Sequence, residues 1–356
     1  GAMNPSIQEL AQLVLDGKLL DRPQIEALAT AGREDHEDLL YWADAIRRRF
    51  FGNRVRVCSI VPGRLGGCDQ DCAFCAQSIR YDTPVDKRAR TTSDKEILAA
   101  AAQARASGVP NLGIVYSGRA ITERELQRLE SLVQRIGSEY GLGVCASVGI
   151  VNAEQARRLA RAGVERYNHN LETSERYFAR IVTTHAYADR VRTVQAVRRA
   201  GLKVCCGGIF GIGETEADRI DLALELRRLE VDTVPMNFLH PIPGTPLADA
   251  APLPPREILR TIALYRFILP RTHLKMAGGR VRNLRDLQSW IFRAGATSIL
   301  TGNYLTTAGR AADEDLQMLH DLDLEVAKDD STADGVADAC GASRNSYAKA
   351  HEPQAD

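Results

Sequence analysis

Between Arg54 and Leu300 the chain alternates short β-branched runs with longer stretches of helical apolar spacing, and this alternation constrains the fold more than any other feature. Candidate strands are Arg54–Val61, Asn111–Tyr116, Gly143–Val148, Arg166–His169, Lys203–Ile209, Thr233–Asn237, His273–Met276 and Thr297–Leu300. Between them lie candidate helices Ser93–Ser107, Thr122–Tyr140, Asn152–Ala162, Ala186–Ala200, Glu214–Leu229, Pro255–Leu269 and Asn283–Ala294. Four of these helices end in a small residue followed by glycine (Ser107-Gly108, Ala162-Gly163, Ala200-Gly201, Ala294-Gly295), as left-handed C-terminal caps do. Strands alternating with amphipathic helices imply a parallel sheet. Eight such units predict an α/β fold, a closed (βα)8 TIM-type barrel, with its chemistry on the loops that follow the strands.

The segments on either side read differently. Residues 1–53 carry three helical patterns, Ser6–Leu15, one opened by Pro23, and His36–Phe50, and are expected to form an N-terminal helical extension. The barrel is expected over 54–326, ending after a short acidic helix at Asp313–Asp321. Residues 327–356, rich in Ala, Asp, Ser and Lys, are expected to be a disordered tail in which Cys340 is an unpaired exposed thiol. Gly1-Ala2-Met3 reads as an expression-vector scar.

Lys plus Arg and Asp plus Glu both number 46, so nothing in the charge argues for nucleic acid or an acidic membrane. No apolar run approaches the roughly twenty residues of a membrane span, and no secretory signal is visible. Eight cysteines in such a chain, three of them in one loop, read as metal ligands in a reducing cytoplasm rather than as disulfides.

That loop is Gly66-Gly67-Cys68-Asp-Gln-Asp-Cys72-Ala-Phe74-Cys75, which directly follows the first strand. Soft thiolates select zinc, copper or iron–sulfur clusters. A structural zinc site wants four closed ligands, whereas three thiolates suit a cubane whose fourth iron stays open to a small ligand. Further on, Asn168, Asn170 and Glu172 share one side of the fourth strand's end, where amides and a carboxylate suit a ribose-like ligand or serve as turn chemistry. Lys203-Val-Cys205-Cys206-Gly207-Gly208 places two thiols on opposite faces of a strand, before glycines that let backbone approach a flat ligand. With Cys145 on the third strand, one inward cysteine there suggests a second thiolate cluster. Arg280, expected at the end of the seventh strand, would need an anionic partner inside a barrel.

Together these motifs resemble the biotin synthase family of radical S-adenosylmethionine (SAM) enzymes. The match runs collinearly from about Val55 to Leu324. It includes the cysteine loop, Tyr167-Asn-His-Asn-Leu-Glu-Thr-Ser174, Lys203-Val-Cys205 with its glycine turn, Val234-Pro-Met-Asn237, Gly244-Thr-Pro-Leu247, Gly278-Gly-Arg280 and Leu305-Thr-Thr307. The resemblance implies that Cys68, Cys72 and Cys75 hold a 4Fe–4S cluster and that Phe74 lies near the SAM adenine. Asn170 and Glu172, with the Gly207-Gly208 turn, would contact SAM, the Glu replacing the Asp commonly seen there. Asn168 and Asn237 would line the dethiobiotin site, and Asn170, Asn237 and Arg280 would serve the chemistry. Cys145, Cys205 and Arg280 match ligands of the family's auxiliary iron–sulfur cluster, which donates sulfur. An electron donor such as flavodoxin or ferredoxin is implied, and a homodimer is admitted.

One departure stands out. The family draws a third auxiliary-cluster cysteine from the second strand, where this chain has Gly113, and glycine cannot ligate. Cys206 is therefore the expected substitute, brought inward by a bulge at Gly207-Gly208, with the cluster type open between 2Fe–2S and larger. The rival readings are a related radical SAM mutase or metallocluster maturase, which would put no sulfur in its product, and a non-catalytic metal-binding scaffold, which would not cleave SAM.

Overall fold

The computed structural model describes residues 3–327, so the expected tail from Lys328 onward, with Cys340, lies outside the described residues. Eight parallel strands form the barrel: β1 Arg54–Leu65, β2 Asn111–Tyr116, β3 Gly143–Ser147, β4 Val164–Asn168, β5 Lys203–Cys205, β6 Thr233–Phe238, β7 His273–Met276 and β8 Ser298–Leu300. Pairing of Arg56 with Ser298 and of Cys58 with Leu300 closes the ring between β1 and β8, as the alternation predicts.

Period-two alternation sorts the side chains. The outward set, including Val55, Val57, Leu112, Ile114, Val204, Val234, Met236, Leu274 and Ile299, is at most 1% exposed and packs beneath the outer helices. Each such side chain contributes about 1.5–3 kcal/mol through burial. The helices are fixed at their starts by reciprocal capping boxes, Ser93 with Glu96, Thr122 with Glu125, Asn152 with Gln155 and Thr215 with Asp218. Gly163, at φ +100°, ends the Ala153–Ala162 helix in the left-handed conformation that its Ala-Gly step announces.

Before the barrel come α1 Pro5–Leu15, α2 Arg22–Glu34 and α3 His36–Phe51, which pack on one another and on the outer helix Pro255–Ile268. Two expected elements differ from the sequence reading. The fifth strand is not continuous over Lys203–Ile209: it leaves the ladder at Cys206-Gly207 and resumes as Gly208–Phe210. The expected helix Asn283–Ala294 is broken into Arg280–Leu284, a tight turn at Arg285–Leu287, and Trp290–Arg293, because Arg285 adopts φ +49°.

Candidate active site

The cysteine loop is built by its backbone. Gly66 and Gly67 both have positive φ, and a Cβ on Gly66 would come within 2.4 Å of the Asp86 carbonyl, so only glycine makes the turn out of β1. Cys68 N–H donates to the Gln77 carbonyl (3.2 Å) and Ile79 N–H to the Cys68 carbonyl (2.8 Å), closing the loop on itself. Ala73 N–H donates to the Ile181 carbonyl (2.9 Å), tying it to the segment after β4. Burial pushes the Cys72 thiol up to about 12 and the Cys75 thiol up to about 11. As bare side chains they would be protonated; a bound metal cluster is what turns such a set into thiolates, so the donor chemistry fits an iron–sulfur centre. Among the described residues no three His, Cys, Asp or Glu side chains close on a single-ion site. A cluster spreads its thiolates over separate irons and needs no such point.

Asp71 is the clasp. It accepts the backbone N–H of Thr183 (2.9 Å) and Thr184 (3.2 Å) and both threonine hydroxyls. Partial burial alone would raise its carboxyl, but these donors prevail and bring it down from 3.8 to about 2. A folded-state value below the unfolded one gives stability that is present above pH 3.8 and lost as pH falls towards 2. Asp71→Asn is therefore expected to cost on the order of 1 kcal/mol at neutral pH, discounted for solvent screening. Unfolding midpoints of wild type and variant should converge on acidification through that window, and a gap that persists below it would contradict the assignment.

Above the loop lies a cavity of about 220 Å³ lined by all three loop cysteines, Phe74, Asn168, Asn170 and Glu172. Seven of the residues singled out in the sequence thus share one wall. Glu172 sits at φ +72°, a conformation seldom held by a residue with a side chain. It is fixed there by N–H donation to the Gly207 carbonyl (3.1 Å) and by Ile209 N–H donating to its carbonyl (2.8 Å). Gly208 permits the approach, since a Cβ on it would lie 2.4 Å from the Glu172 carbonyl oxygen. The glycine pair thus shapes the Glu172 turn rather than lining the cavity. Burial raises the Glu172 carboxyl, with Arg190 at 3.5 Å opposing. Asn168 Oδ1 and the Tyr116 hydroxyl, both buried, have no hydrogen-bond partner, as befits polar atoms placed for a bound molecule.

Sequence reasoning missed the support on the far side. Arg190 donates to His185 (3.0 Å) and to the Asn170 carbonyl (2.8 Å), and His185 meets Gln70 (2.7 Å), linking the cysteine loop to the Glu172 turn. His185 and Arg190 lie outside the recognised motifs, and the sequence carried no signal for them.

Below the cavity, inside the barrel, the inward faces hold Cys58, Cys145 and Cys205. Cys145 is paired in register with Gly113, and Cys205 with Asn168. Burial, with Cys58 next, pushes the Cys145 thiol up to about 12, while Arg166 opposes. Lys275 of β7 joins them: burial works against its charge, but Cys205, Cys58 and Cys145 hold it above the ordinary lysine value.

Two expectations are corrected here. Cys206 is not carried inward: its N–H donates to the Thr233 carbonyl (2.9 Å), and its fully buried side chain packs in the apolar layer under the helices. Arg280 does not reach the lumen thiols. It starts a helical turn beyond β7 and is locked by Asp315 (3.0 and 2.6 Å), Gln288 (3.1 Å) and the Leu300 carbonyl (3.1 Å). Asn237, half-exposed at the end of β6, donates to the Gly208 carbonyl (3.2 Å) and accepts from Gly278 N–H (2.9 Å), tying strand ends together.

Residues 64–226 match the radical SAM superfamily, and residues 235–325 match the Biotin and Thiamin Synthesis associated domain. Among solved structures, methylornithine synthase (PylB) superposes with a TM-score of 0.78 at 20% identity over 92% of this chain and 99% of that one. HydG, a maturase of the [FeFe]-hydrogenase, gives 0.80 at 14% identity over 94% and 78%. Likeness at that level speaks for the barrel alone; with the superfamily match it defines a radical SAM (βα)8 protein. Biotin synthases of Geobacter metallireducens and Heliobacterium modesticaldum are 46% and 45% identical over 91% of this chain and 98% and 99% of theirs. The chain belongs to the biotin synthase family.

Proposed function

We propose that this chain catalyses radical SAM sulfur insertion, converting dethiobiotin to biotin. The observation that carries the reading is the continuity of one inner wall. Ser147 and Asn168 line the cavity over the cysteine loop, and the same inward faces carry Cys145 two residues below Ser147 and Cys205 in register with Asn168. A substrate held at that wall lies between two sets of thiols.

Cys68, Cys72 and Cys75 would hold a 4Fe–4S cluster and the lumen thiols an auxiliary iron–sulfur cluster, the first supplying the electron that cleaves SAM and the second the sulfur. Phe74 offers a face for the adenine. Asn170 keeps the Glu172 turn in place by accepting from Gly207 N–H (3.1 Å), and the Glu172 carboxyl is left to accept hydroxyl donors. Asn168 Oδ1, buried beside the cavity without a partner, is an acceptor for a ring N–H of dethiobiotin, with Asn237 on the neighbouring strand ends. A cytoplasmic enzyme, an electron donor such as flavodoxin or ferredoxin, and a homodimer complete the reading.

The test is product analysis. Anaerobically reconstituted, dithionite-reduced protein given SAM and dethiobiotin is expected to form 5′-deoxyadenosine and biotin. Formation of 5′-deoxyadenosine with an isomer of dethiobiotin, or with no sulfur-bearing product, would overturn it.

A further inference from the structure

The lumen contains a thiol that no motif claimed. Cys58 lies on β1, two residues before Ile60, and Ile60 is the register partner of Gly113. It shares the inward parity of Ile60 and Arg56, and it packs with Ala277 and Leu300 rather than with the apolar layer under the helices. Cys145 and Cys205 are likewise buried without joining that layer, whereas Cys206 belongs to it.

The Gly113 position faces the same space. A Cβ there would stand 3.9 Å from the Cys145 Cβ but only 3.1 Å from an Ile60 methyl, so the second-strand position faces Cys145 and its space is partly taken by Ile60. Besides Cys145 and Cys205, the thiol that faces the lumen comes from β1, the strand adjacent to that position, not from Cys206 beside Cys205.

Charge points the same way. The inward positions of the eight strands include Arg56, Arg166 and Lys275 and no Asp or Glu. Lys275 is in register with Pro235 on one side and Ser298 on the other, and neither neighbour offers it a carboxylate. Lys275 is half-buried in the lumen, and a sulfide-bearing cluster on three thiolates would give its ammonium an anionic partner.

We propose that Cys58, Cys145 and Cys205 are the thiolate ligands of the auxiliary iron–sulfur centre and that Lys275 is its cationic partner. This ligand set rests on the functional reading above, but its test is a metal count. In the Cys68/Cys72/Cys75→Ala background, anaerobic reconstitution leaves only the auxiliary iron. Adding Cys58→Ser, Cys145→Ser or Cys205→Ser is expected to abolish that iron and its Mössbauer signal, and adding Cys206→Ser to leave both. The same four single changes in the otherwise unaltered chain serve as a second series should the triple variant not fold. There, each of the first three should reduce iron to the complement of the radical site alone. Lys275→Met is expected to lose auxiliary iron to a chelator several-fold faster than wild type, with Lys275→Arg restoring retention.

Full auxiliary iron in Cys58→Ser, loss of iron in Cys206→Ser, or no iron in the triple-alanine protein while it remains folded would each overturn the ligand set. Wild-type release rates in Lys275→Met would remove Lys275 from it. The expected iron pattern without biotin formation would instead overturn the functional reading and leave the ligand set standing.

Discussion

Replacing any one of Cys68, Cys72 or Cys75 by alanine is expected to reduce SAM cleavage by the dithionite-reduced protein to the uncatalysed background, with auxiliary iron retained. The expectation follows from the loop's construction. Its three thiols line one cavity, and the backbone that presents them is closed by hydrogen bonds from Cys68 and Ile79 and clasped by Asp71. Among the described residues no further cysteine lines that cavity, so a lost ligand has no substitute there. Because the loop is held by main-chain bonds rather than by the sulfurs, the variants should remain folded, which circular dichroism would register. Continued 5′-deoxyadenosine formation in any of the three would end the radical SAM assignment of this loop.

The second large effect is on stability. Asp315→Ala is expected to destabilise the fold by about 3–5 kcal/mol, the cost of leaving a buried charge without its partner. Arg280 and Asp315 are both fully buried, and Asp315 also accepts from Thr301 (2.7 Å) and Arg310 (2.9 Å). Burial raises the Asp315 carboxyl, but Arg280, Thr301 and Arg310 together hold it below the ordinary aspartate value. The pair therefore contributes stability at neutral pH that is lost on acidification. Denaturant midpoints should fall in Asp315→Ala and recover in large part in Arg280→Met/Asp315→Leu, where neither charge remains. Auxiliary iron in Arg280→Met/Asp315→Leu should match wild type. Loss of that iron, without loss of stability in Asp315→Ala, would return Arg280 to the role its motif suggested.

The two corrections show where sequence reading stops. Barrel, helix starts and cysteine loop were legible because each depends on local spacing: period two in the strands, capping residues three apart, glycines at positive φ. The inward or outward sense of Cys206 was legible too, by alternation from Cys205. Departing from it meant invoking a bulge, when Gly207 instead lets the strand leave its ladder with Cys206 still outside. Arg280 was misplaced because its partner, Asp315, lies 35 residues further on in a helix with no recognised motif. Cys58 and Lys275 were passed over although their parity was readable. Arg56 and Cys58 alternate with Val55 and Val57, a pattern that puts the polar pair inward in a strand whose other face is core. What the sequence could not supply was the closure of β1 on β8 that brings this pair into the same lumen as β3, β5 and β7.

In the proposed function one barrel wall joins a SAM-cleaving thiolate loop to a sulfur-donating thiolate set. Reconstitution with isotopically heavy sulfide, followed by one turnover with SAM and dethiobiotin in unlabelled buffer, measures it directly by the mass of the biotin formed. The biotin formed is expected to carry the heavy isotope. Biotin of ordinary mass, made by protein whose clusters hold the label, would contradict that function.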